Sequence, residues 1–247
     1  MESIIDTATN ASSQLSSITA HPFYPLEVEI AAYLANEMTM QMLLSIFVAI
    51  ILTVVGLTKF WVDKVHPSLP SKEKTAIWWF VISGAIHLFF EGYFSLNHKT
   101  MAPAQDLFGQ LWKEYALSDS RYLTSDPFVL CMETVTAFTW GPICFVIAYM
   151  ITTSHPLRHP LQIIVCVGQM YGLILYYATA MFDHYYNAAD YSRPEFLYFW
   201  VYFFAVNFIW MIIPGLLLVS SVRTVARTFA ALDKMTKTLA KGAKKNI

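Results

Sequence analysis

Residues 38–58 read MTMQMLLSIFVAIILTVVGLT, twenty-one positions without one charged side chain. At about 1.5 Å per residue, a helix over such a stretch covers roughly 30 Å, the hydrocarbon thickness of a bilayer. Four more long apolar stretches follow, at 75–98, 127–157, 160–182 and 196–222. The reading is an all-α integral membrane protein with five transmembrane helices over 38–222, preceded by a segment 1–37 and followed by a basic tail 223–247. Composition agrees: 56% of the 247 residues are apolar and 13% charged, against about 25% charged in a soluble domain. A formal net charge of −1 leaves no basic excess to meet phosphates, so no nucleic-acid partner is expected.

Lys and Arg set the expected orientation. Twelve of the sixteen fall in the linker 59–74, at Arg158 and in the tail after Val222. The N-terminus is therefore predicted lumenal and the C-terminus cytoplasmic. Residues 1–20 lack both a basic start and an apolar run, so no cleavable signal peptide is expected. Asn10-Ala11-Ser12 is a glycosylation sequon on the predicted lumenal side. The string Lys244-Lys245-Asn246-Ile247 reads as a dilysine retrieval address of the endoplasmic reticulum membrane, the alternative being a basic tail held to anionic lipid. Cys131, Cys144 and Cys166 all lie in apolar runs and read as small core residues. Gly168 and Gly172, at GxxxG spacing, mark close helix packing within one protomer or between two.

The loop 99–126 is too long for a simple connector. It carries Trp112 and Tyr115, then Asp119, Arg121 and Tyr122, and reads either as a lid or as an interfacial aromatic belt. Inside the spans stand three ionisable groups, His87, Glu91 and Glu133, each costly in hydrocarbon and so a functional candidate. His87 and Glu91 share a helix face at i and i+4. Counted from the lumenal end, Glu91 and Glu133 lie about 10 Å deep, and His87 with Asn207 about 16–17 Å deep. Trp210, Gln169, Tyr176 and Thr136 are placed to join them.

Two carboxylates and an indole face favour a positive charge. His87 beside Glu91 adds a tunable proton donor or acceptor. Acid-catalysed movement of a carbon–carbon double bond needs that set: protonation makes a carbocation, and loss of a neighbouring proton ends the reaction. No cofactor is required. A metal site would use the same His87, Glu91 and Glu133, but membrane metal enzymes generally cluster several histidines, and only one of seven here lies well inside a span. No metal is expected.

At these residues the chain resembles the emopamil-binding-protein family of the EXPERA superfamily. The strings are IHLFFEGYF at 86–94, LWKEYALSDSRY at 111–122, CMETVTAFTWGP at 131–142, HPLR at 155–158, VGQMYG at 167–172, LYFWVYF at 197–203 and NFIWMIIPG at 207–215. The resemblance implies an EXPERA-type bundle, often a homodimer, that moves the 8,9 double bond of a sterol to the 7,8 position. It implies functional roles for His87, Glu91, Glu133, Asn207 and Trp210, and supporting ones for Asp119, Arg121, Tyr122 and Thr136. The mechanism expected is a proton delivered to sterol carbon 9, a cation at carbon 8 and a proton lost from carbon 7. Glu91 with His87 handles protons, Glu133 and Trp210 stabilise the cation, and Asn207 orients a carboxylate. Trp112, Tyr115, Gln169 and Tyr176 complete the expected substrate wall. The partners are a sterol, cationic amphiphiles that mimic the cation, and membrane lipid. Two rivals share the pocket: a binding protein without catalysis, and an isomerase of another polycyclic lipid. The first 60 residues resemble the family weakly, apart from His21-Pro22-Phe23-Tyr24-Pro25, and the loop 183–195 diverges.

Overall fold

The computed structural model describes residues 21–245, so Asn10 and the final two positions of the dilysine string lie outside the described residues. Every apolar stretch is helical. Helix α1 is Met40–Val65 and α2 is Ser71–Thr100; a short α3, Leu107–Ala116, follows inside the long loop. Then come α4 (Pro127–Thr152), α5 (Arg158–Asn187) and α6, which opens as a π-helix, Leu197–Val206, and continues as Asn207–Lys245. Five of the six are long and apolar enough to cross a bilayer, and the chain is a multi-pass membrane protein.

Helix ends follow local chemistry rather than the edges of the apolar runs. The Thr39 side chain caps α1 by accepting from the Met42 amide. Beyond residue 58 the helix goes on, because Lys59 and Asp63 pair at i,i+4 and Lys74 of α2 reaches the same carboxylate at 2.7 Å. Helix α4 stops at Thr152, short of the expected 157: Ser154 adopts a left-handed φ of 49°, and Pro156 follows. Helix α5 ends where Ala188 turns left-handed at φ 50°.

Helix α2 packs on α1 and α4, and α5 runs along α6. Two apolar cores result. One, at the end that carries α3, gathers Phe23, Phe94, Trp112, Val129 and Phe203; the other, toward the long tail of α6, gathers Ile77, Phe80, Cys144, Ile147 and Cys166. Cys131 is exposed on the outer face of α4, so only two of the three cysteines are core residues. Gly168 and Gly172 both face α4, toward Trp140 and Met132, which assigns their close packing to the inside of this chain.

The loop 99–126 is a folded cap with α3 at its heart, and residues 109–114 are all buried. It is held by the stretch 21–38, to which the sequence assigns no functional role. Lys113 donates to the Leu34 carbonyl at 2.7 Å, the Gln110 side chain accepts from the Met38 amide, and the Ser120 hydroxyl donates to the Tyr24 carbonyl. Phe23 is buried beneath. The loop is therefore a fixed roof over the helix ends and not an exposed aromatic belt.

Candidate functional site

Between the two cores lies a cavity of about 500 Å³, walled by α1, α2, α4, α5, α6 and the cap. Three helices are π-wound at this depth: Ile86–Glu91 in α2, Thr136–Trp140 in α4 and Leu197–Val206 in α6. A π turn holds an extra residue and is common at functional sites. In α4 a cause is visible: Pro142 has no amide hydrogen to donate to the preceding turn.

His87 is 2% exposed and sits at the hub. Its Nδ1 lies 2.8 Å from Glu91 Oε2, and since a carboxylate accepts, the proton belongs on Nδ1. Its Nε2 accepts from Gln169 Nε2 at 2.9 Å and from the Trp210 indole at 3.4 Å. Both ring nitrogens are thus engaged by groups from three helices. The Glu133 carboxyl lies beside that of Glu91 and accepts from the Tyr122 hydroxyl at 2.5 Å. Burial, with the Glu133 charge adding to it, pushes the Tyr122 phenol well above its ordinary range, so Tyr122 remains a donor.

Of the thirteen expected residues, eleven line this one cavity: His87, Glu91, Trp112, Tyr115, Tyr122, Glu133, Thr136, Gln169, Tyr176, Asn207 and Trp210. Asp119 and Arg121 do not. They form a buried pair behind the wall, bonded through two guanidinium nitrogens, and Arg121 also donates to Thr179 and stacks over Tyr176 at 5.0 Å. Burial works against the Arg121 charge, but the adjoining Asp119 carboxylate outweighs it and holds Arg121 above its ordinary value. The pair packs against Tyr176 and does not line this cavity.

Asn207 also differs from expectation. It orients no carboxylate: its amide donates to the Tyr115 hydroxyl at 2.7 Å and to the backbone carbonyls of Tyr202 and Phe203. Those carbonyls belong to the π-wound stretch, so the amide ties its end and holds the tyrosine at once. The Thr136 hydroxyl is spent on the Met132 carbonyl of its own helix. Trp112 bonds the Phe90 carbonyl and stacks on the Phe90 ring at 4.4 Å.

Sequence reasoning missed three wall residues of note, Glu114, Tyr202 and Trp79. Glu114 stands beside Lys113 like an ordinary surface pair. The helix turns Lys113 to the N-terminal stretch and Glu114 to the cavity, where burial pushes its carboxyl upward.

Residues 107–221 match the sequence model described as EBP: EXPERA (EXPanded EBP superfamily). A 3-beta-hydroxysteroid-Delta(8),Delta(7)-isomerase of Rattus norvegicus is 35% identical over 216 residues, covering 86% of this chain and 92% of the relative. A probable isomerase of the same name from Oryza sativa subsp. japonica is 27% identical over 88% of this chain and 97% of its own. An isomeliandiol synthase of Melia azedarach is 27% identical over 67% and 76%.

Proposed function

This chain belongs to the EXPERA superfamily, and from that premise we propose that it is a sterol Δ8–Δ7 isomerase. The observation that carries the proposal is the convergence of His87, Glu91, Glu133 and Trp210 on one cavity whose other walls are apolar. The relatives named for 3-beta-hydroxysteroid isomerisation support the choice of substrate.

In the proposed reaction a proton adds to carbon 9, and the electron pair of the C8–C9 double bond becomes the new C9–H bond. Positive charge rests on carbon 8. Loss of a proton from carbon 7 returns that C–H pair as the C7–C8 double bond. One proton enters and one leaves, so the balance needs no redox partner. Glu91 with His87 handles the protons. Glu133, fixed by Tyr122, and the indole of Trp210 stabilise the cation by charge and ring quadrupole in a water-poor site. Asn207 acts through Tyr115, which it holds against the wall. Cationic amphiphiles occupy the same place because an ammonium reproduces the charge of the intermediate. The chain works in the endoplasmic reticulum membrane with the cap lumenal and the basic tail cytoplasmic, an orientation that the distribution of Lys and Arg supports; a homodimer is what the family resemblance implies.

Incubating purified protein with an 8-ene sterol in deuterated water tests this. The expected product is the 7-ene sterol with one deuterium at carbon 9, seen by mass spectrometry. Tight binding without product would make the protein a sterol receptor. The likeness to an isomeliandiol synthase favours a second reading, an isomerase of another polycyclic alkene, which a substrate panel separates from the first.

A further inference from the structure

We infer that Glu114 receives the ring-A hydroxyl of the substrate and so fixes which way round the sterol lies, an assignment that rests on the isomerase reading above. Glu114 is 8% exposed and lines the cavity. Its single side-chain hydrogen bond among the described residues is a long one, 3.5 Å from the Tyr202 hydroxyl. Among the described residues no cation pairs with it: Arg193 binds Glu195, and Lys113 is turned to the Leu34 carbonyl. A carboxylate offers about four acceptor sites, and burying it with so few donors is costly. What this corner lacks is a donor inside the cavity.

The acidic groups of the cavity fall into two sets. Glu91 and Glu133 are bonded to His87 and Tyr122, whereas Glu114 meets only Tyr202. A 3-hydroxysterol has a matching layout, with one O–H donor on ring A and the reacting bond on the far side of ring B. Seating the hydroxyl on Glu114 turns ring A toward the cap and leaves the side chain to the apolar wall farther along the helices, where Ile51 and Ile82 line the cavity. The other polar wall atoms without a partner among the described residues are neutral: the Trp79 indole N–H, Gln169 Oε1 and the Tyr176 hydroxyl. A hydrogen bond to a charged group is roughly twice as strong as a neutral one, and that favours Glu114.

The test compares an 8-ene 3β-hydroxysteroid with its 3-deoxy counterpart on the full-length protein. The wild type should prefer the hydroxysteroid in kcat/KM by about 10- to 100-fold. In Glu114→Leu the ratio should fall to near one. Glu114→Gln keeps the shape and an acceptor, so it should retain a reduced preference, and it serves if the leucine variant does not fold. A wild-type ratio near one, or a preference untouched in both variants, overturns the inference. Loss of the preference in Trp79→Phe instead assigns the hydroxyl to that indole and overturns the inference. Product formation with a preference indifferent to Glu114 sinks this inference alone. Absence of any 7-ene product from either steroid sinks the isomerase reading, and this inference with it.

Discussion

The cap and the cavity each bury a carboxylate beside a basic group, yet they leave those groups in different states. Asp119 and Arg121 are saturated: both carboxylate oxygens are bonded to the guanidinium, which also meets Thr179, the Tyr176 carbonyl and two tyrosine rings. In the cavity, the His87–Glu91 pair opens onto a hollow where Gln169 Oε1 and the Tyr176 hydroxyl, both buried, have no partner among the described residues. A saturated buried pair has nothing left to offer a ligand and serves position. Beside the His87–Glu91 pair, whose ring nitrogens are both engaged, Gln169 Oε1 and the Tyr176 hydroxyl keep lone pairs and a proton available for something that enters.

Breaking the cap pair should produce the largest effect. Arg121→Leu strands a buried carboxylate and should destabilise the protein by about 3–5 kcal/mol, while replacing both Asp119 and Arg121 by apolar residues should recover much of that. Thermal unfolding in detergent reads both. Glu133→Gln, in contrast, should leave unfolding unchanged and lower turnover by about 10²- to 10³-fold, since it removes charge aimed at the cation. No second substitution should rescue it as the cap pair is rescued. Full activity in Glu133→Gln would take that residue out of the mechanism. Tyr122→Phe bridges the two regions, because Tyr122 belongs to the cap and donates into the cavity. Its loss should cost about 10- to 100-fold in kcat, with a melting temperature close to wild type. The smallest effects sharpen the packing side. A Cβ on Gly168 would stand 2.6 Å from the Trp140 ring, whereas one on Gly172 meets Met132 at an ordinary 3.8 Å. Gly168→Ala should therefore destabilise by about 1–3 kcal/mol, and Gly172→Ala should be nearly silent in the same melting experiment.

What the sequence made legible was whatever obeys a local rule. Uninterrupted apolar length marks the spans, i,i+4 spacing puts His87 on Glu91, and depth counted along antiparallel helices brings Glu133 and Asn207 alongside. Three features escaped. The stretch 21–38 has no periodic pattern, and its bonds to Gln110 and Lys113 join residues more than 70 positions apart. The cavity face of Glu114 depends on how α3 is rotated under that stretch, which no local spacing reveals. Asn207 meets Tyr115 and the Tyr202 and Phe203 carbonyls where a π-helix ends, and the residues of 197–206 carry no sign of that winding. Asp119 and Arg121 entered the expected site through the family resemblance, which reports that residues matter without separating a ligand contact from the frame behind it.

Helix α1 has only Leu43 and Val62 buried, yet it supplies Leu44, Phe47, Val48 and Ile51 to the cavity. One side of the cavity is thus a single span whose outer surface is left to the surrounding acyl chains. The lateral pressure of the bilayer bears on the cavity through this wall, and a detergent that strips those chains should loosen it before it disturbs the capped end.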